Sequence, residues 1–138
     1  MKQVLDIKQM QHLQELGLKL GETLLYWARE IATRPRAANY YGKWIIVKGK
    51  GQATVGMTRW EYVPAYTLQD VLELLPNSVN WNRLLITFNG RECMFQYALY
   101  ESDPIVAFHN EETIDAAYDM LCWCIENRYI KTENEDVR

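Results

Sequence analysis

The side chains best suited to metal or nucleophilic chemistry are few: Cys93, Cys122, Cys124, His12 and His109. Cys122 and Cys124 fall inside a helical pattern, so their thiols point about 200° apart and cannot share one ion. Structural zinc sites take their thiols from closely spaced residues at a turn instead. Both are therefore expected to serve as small core residues, and no metal is expected. A Cys–His–acid site would have to join one of the three thiols to His12 or His109. His109 precedes Asn110-Glu111-Glu112 at a strand-to-helix junction, with Cys93 one or two strands away. No local signature supports catalysis there, so His109 is read as a boundary residue, His12 as an exposed helix residue and the chain as a non-enzyme. Gly49-Lys50-Gly51 invites a phosphate-loop reading. However, Thr54 stands where a dinucleotide fingerprint needs glycine, and strand-like sequence follows where a Walker loop needs a helix. A hairpin turn is expected, with no cofactor.

Charged groups cluster in two places. Glu111, Glu112, Asp115 and Asp119 gather at the start of the last helical pattern. Glu111 and Glu112 gain from the helix dipole, whereas Asp115 and Asp119 repel as i, i+4 neighbours. The set reads as a solvated face that could also dock a basic partner or a divalent cation. Between residues 29 and 50 lie Arg29, Arg34, Arg36, Lys43, Lys48 and Lys50 against the single acid Glu30, with Tyr40, Tyr41 and Trp44 interleaved. Cations for phosphates beside aromatics for base stacking are a nucleic-acid composition. The whole chain argues the other way, with a net charge of −3 and a pI near 5.4. That small total hides a division, because residues 1–60 carry +6 and residues 61–138 carry −9. Two such surfaces can neutralise each other within one molecule, or favour encounter and register between molecules.

With 138 residues, 49% apolar and 24% charged, the chain is expected to form one globular domain over 1–138 with a frayed polar tail from about 131. No apolar run approaches the ~20 residues that span a bilayer, and the first residues lack the apolar core of a secretion signal. Three cysteines are too few for a disulfide framework. The bacterial cytoplasm is the expected location.

The elements that must position these residues follow from local pattern. Asp6 and Gln9 make a capping box for a helix over about 7–16, with Ile7, Met10, Leu13 and Leu16 on one stripe and Gly17 as its stop. Residues 23–31 are β-rich, although Leu24, Trp27, Ala28 and Ile31 also fit a helical period. Residues 43–48 read as a strand and 52–63 as one or two more, with Trp60 and Tyr62 on one side. Thr67 caps a second helix, Asp70 favours its positive end, and Pro76-Asn77-Ser78 ends it. Residues 83–88 and 92–101 form a hairpin around Asn89-Gly90, followed by a short strand at 105–108. Asn110 is expected to cap a last helix over 111–127, with Asn127 as a left-handed stop and Tyr129-Ile130 folding back on its end. The fold class is α+β, an antiparallel sheet of about four to six strands with two or three helices mainly on one face.

Three stretches carry a resemblance. They are residues 9–17 (QMQHLQELG), 63–76 (VPAYTLQDVLELLP) and 112–127 (ETIDAAYDMLCWCIEN). In this order they resemble small proteins carried by phages and prophage-like elements of gut anaerobic bacteria of the Bacteroides type. Arg128 stands where that family has glycine after the Glu-Asn pair. The family has no assigned activity, so the resemblance implies a phage-derived bacterial protein and supplies no catalytic residue. The sequence is thus read as a non-enzymatic accessory protein acting through protein–protein contact or self-association, with no membrane. The alternative is nucleic-acid binding through residues 29–50.

Overall fold

A computed structural model describes residues 1–31, 42–51, 54–55, 58–99 and 103–132. Among the described residues three helices and eight strands follow in the order α1 (Ile7–Glu15), β1 (Leu25–Glu30), β2 (Ile45–Lys48), β3 (Thr54–Val55), β4 (Thr58–Pro64), α2 (Leu68–Leu74), β5 (Ser78–Val79), β6 (Asn82–Asn89), β7 (Glu92–Ala98), β8 (Val106–Asn110) and α3 (Thr113–Glu126). All strand pairs are antiparallel, and the class is α+β as the pattern predicts. The strands divide between two sheets, ordered β2-β1-β4-β3 and β5-β6-β7-β8.

Both helix starts read from local sequence form as capping boxes, Asp6 with Gln9 and Thr67 with Asp70. Asp70 does more than cap. Its Oδ2 accepts from the Thr67 amide at 2.9 Å and from Thr23 Oγ1 at 3.0 Å, tying α2 to the approach to β1. Residues 25–30 are a strand, because Tyr26, Ala28 and Glu30 alternate into burial between β2 and β4. Trp60 and Tyr62 share a face, opposite Glu30 and Ala28.

The second sheet carries the main core. On β7, Cys93, Phe95 and Tyr97 point inward, and register places Leu84, Ile86 and Phe88 of β6 and Val106, Phe108 and Asn110 of β8 on the same face. Helix α3 lies across β7 and β8 on that face and packs against α2. It is apolar nearly all round, burying Ile114, Ala116, Ala117, Met120, Leu121, Cys122, Cys124 and Ile125. Trp27 and Val63 of the first sheet and Leu5, Met10 and Leu13 join the same cluster.

The sequence expectations miss at several ends. Asn110 belongs to β8 and does not cap α3. Its side chain accepts from the Glu112 amide at 2.9 Å, and the helix starts two residues later. Asn127 is not left-handed (φ −96°); Arg128 is, at φ 65°. Arg128 and Tyr129 donate their amides to Ile125 and Cys124 at 3.1 and 2.8 Å, the two bonds of a Schellman stop. The β6–β7 turn residues are Gly90 and Arg91, one step beyond the Asn-Gly pair, and only Gly90 takes positive φ. Thr132, placed in the expected frayed tail, is buried. Residues 133–138 lie outside the described set.

Candidate functional site

The acidic group is largely engaged within the molecule. Lys2 Nζ lies 2.8 Å from Asp115 Oδ1, which also accepts from Gln9 Nε2 at 3.0 Å. Glu112 Oε2 accepts from the Lys2 amide at 3.0 Å. The ammonium of the basic half thus sits where a docked cation would sit. Glu111 is exposed, and Asp119 is half-buried beside a ~270 Å³ cavity that His12, Tyr118 and Cys122 also line. Burial first, and the Asp115 charge second, hold the Asp119 carboxyl above the usual carboxylate range. Among the described residues no group of three or more His, Cys, Asp or Glu side chains converges to hold a cation.

Of the basic segment, Arg34, Arg36, Tyr40 and Tyr41 lie outside the described residues. Lys43 and Lys48 are exposed. The segment's described aromatic, Trp44, is occupied by one of the chain's own cations, and a further cation of the segment is turned onto Tyr26 of β1. Arg29 stacks 4.6 Å from the Trp44 ring centre while pairing with Glu61 at 2.8 Å, and Lys50 Nζ lies 5.6 Å over Tyr26. The Arg29–Glu61 and Lys2–Asp115 pairs each join the positive half of the sequence to the negative half.

The thiol and imidazole candidates do not meet. Cys93 and His109 sit on adjacent strands, but Cys93 pairs with Asn110 and Met94 with His109, which puts thiol and imidazole on opposite faces. His109 is on the open face, 3.1 Å from Glu92. Burial pushes all three thiols up, Cys122 to about 11, so at neutral pH they are protonated and poor nucleophiles. His12, expected to be exposed, is half-buried beside Glu15 at 3.7 Å and Tyr118.

A different feature stands out, one the sequence reading passed over. β5 and β6 are joined by a two-residue turn, Asn80-Trp81, with both residues at positive φ, 49° and 71°. Such turns favour Asn at the first position and Gly at the second, where a Cβ is strained. Here tryptophan takes the glycine position with 89% of its surface exposed. The turn is firmly held. Asn82 Nδ2 donates to the carbonyls of Val79 and Asn80 at 3.2 and 3.0 Å, and Asn80 Nδ2 donates to Tyr129 Oη at 2.9 Å. Tyr129 stacks on Trp123 at 5.4 Å, and Trp123 lies 6.1 Å from buried Tyr97, so an aromatic ladder runs from the core to this end of the sheet. The available signal was the segment Val79-Asn80-Trp81-Asn82, whose Asn beside an aromatic breaks up an otherwise β-like run.

No family model matches the chain, and no curated protein or solved structure matches it.

Proposed function

We propose that this chain is a non-enzymatic accessory protein of a phage or mobile element that works by binding another protein, and that the Asn80-Trp81 turn is its contact point. One observation carries the reading, namely an indole held almost wholly in water on a left-handed backbone. That arrangement sets a large apolar side chain outside the core at a backbone cost of about 1–2 kcal/mol. Strain kept by a rigid surround, together with an exposed aromatic, is what a binding site requires, and Trp and Tyr dominate the energetic centres of protein interfaces. Tyr129 and Trp123 lie beside the turn and supply a rigid base.

The test is capture from the host cell with the wild-type chain and with Trp81→Ala and Trp81→Gly, read by quantitative mass spectrometry. The expected result is a defined partner retained by wild type and lost by at least tenfold with both variants, while melting temperature shows that both remain folded. Identical retention by all three would refute the reading. Salt-sensitive retention of nucleic acid by the wild type would point to residues 29–50 instead, since counterion release makes such binding fall steeply with salt.

A further inference from the structure

The ~270 Å³ cavity beside Asp119 is a second candidate site, independent of the Trp81 turn. His12 closes it from α1 and Phe108 from the edge strand β8. From α3 it is lined by Tyr118, Asp119, Cys122, Trp123 and Glu126, which fall within one arc of the helix. Its rings and its carboxylates both have capacity to spare. Among the described residues Phe108 stacks on no other ring, and Tyr118 meets only His12, tilted by 57° at 6.3 Å. Trp123 is engaged by Tyr129 and Tyr97 and serves as a wall. Neither Asp119 nor Glu126 has an ion pair among the described residues, unlike Asp115, which Lys2 holds. Both carboxylate fields fall on the cavity. Burial pushes the Cys122 thiol up to about 11 against a bond from Tyr118, and the Glu126 and Asp119 charges add to the rise.

The same fold shows what such a pairing of ring and carboxylate holds. At the first sheet the Arg29 guanidinium lies 4.6 Å from the Trp44 ring centre and 2.8 Å from Glu61, a cation set between a ring and an acid. The α3 cavity repeats the ring and the acid, and the chain supplies no cation to it.

We infer that this cavity binds a methylated ammonium group, with its methyls against the Phe108 and Tyr118 rings and its charge facing Asp119 and Glu126. Ring faces are negative and attract a cation, most strongly where water is displaced. Methylation follows from the lining. A primary ammonium brings three donors, and the Tyr118 hydroxyl is already turned to the Cys122 sulfur, which leaves the two carboxylates as side-chain acceptors. Methyl groups need no acceptors and pack on rings and thiol. A metal ion finds no set of three ligating side chains. The volume lies just below the ~300 Å³ at which pockets for drug-sized ligands begin, which suits a head group. That group can belong to a free solute or to the end of a methylated lysine.

Calorimetric titration of the full chain with choline chloride at neutral pH, against sodium chloride at equal ionic strength, tests this. Choline should bind saturably at one site. Its uncharged isostere, with a quaternary carbon in place of nitrogen, should bind about tenfold more weakly or worse. Asp119→Asn should weaken choline about tenfold, and Phe108→Leu, which keeps bulk but loses the ring, about fivefold. Melting curves show that both variants are folded. Acetylated trimethyllysine amide should also bind, and more tightly than its unmethylated form. Whether it or choline binds more tightly distinguishes a side chain from a free solute, and either order agrees with the inference. Absence of saturable binding by both methylated ammonium compounds overturns it. So does equal binding of the uncharged isostere or of unmethylated lysine, displacement of choline by equimolar magnesium, or unchanged affinity in both variants.

Discussion

Arg128→Gly should stabilise the fold although it removes every side-chain atom beyond the backbone. Arg128 sits at φ 65° as the residue that reverses the chain after α3. A side chain there costs about 1–2 kcal/mol, because Cβ crowds the neighbouring carbonyl. Glycine removes that cost but gives back about 0.5–1 kcal/mol through its freer unfolded chain. The Arg128 side chain is exposed, so little packing is lost. The net gain is about 0.5–1 kcal/mol. For a chain of this size that corresponds to a rise of about 2–4 °C in melting temperature, with an unchanged denaturant m-value. Trp81→Gly relieves the same strain at φ 71° but surrenders the covered fraction of the indole, so its gain should be smaller. Calorimetry on wild type and both variants checks the order. An Arg128→Gly protein that melts at or below the wild-type temperature would refute the strain assignment.

Tyr97→Phe should cost about 1–2 kcal/mol, since Tyr97 Oη donates to the Pro76 carbonyl at 2.7 Å and its loss leaves that acceptor unmet near the core; urea unfolding measures it, and a neutral result would mean that water replaces the hydroxyl. Asp119 is held with a raised pKa by burial, so its favourable contribution is full below the unfolded-state carboxylate range and is lost as pH rises through the raised folded value. Asp119→Asn should therefore raise the melting temperature at neutral pH and change it little in acid, and equal shifts at both would contradict this. Thiol titration with a disulfide reagent at neutral pH should find none of the three cysteines reacting quickly in the native protein and all three after denaturation, because each is buried and protonated. Rapid native labelling of one thiol would be inconsistent with that burial.

Features governed by neighbouring residues were legible in the sequence. The Asp6–Gln9 capping box spans four positions, the Thr67 cap lies directly before its helix, and the α3 stripe repeats within one helix, whereas the return bond from Thr67 to Asp70 appears only in the structure. Features that depend on distant partners were not. Residues 25–30 satisfy both periodicities, and only pairing with β2 and β4 decides for a strand. β5 is two residues long and exists only because β6 lies beside it. The acidic group at the start of α3 reads as a solvated face in sequence because its counter-charge, Lys2, is 113 positions from Asp115. β6 looked like an ordinary core strand, since nothing in Leu84-Leu85-Ile86-Thr87-Phe88 shows that the helices stop short of its outer half.

The segment before α1 acts as a clasp. Lys2 grips Asp115 and Glu112, Val4 bridges to Thr67, the Leu5 amide donates to the Tyr66 carbonyl at 2.9 Å, and the Leu5 carbonyl accepts from Trp27 Nε1 at 2.8 Å. On a ribosome this stretch emerges long before α3, so the Lys2 contacts cannot form until residues near 115 have left the exit tunnel. Folding should accordingly complete as one late event after synthesis of α3, with the early segment exposed to chaperones and proteases in the interval.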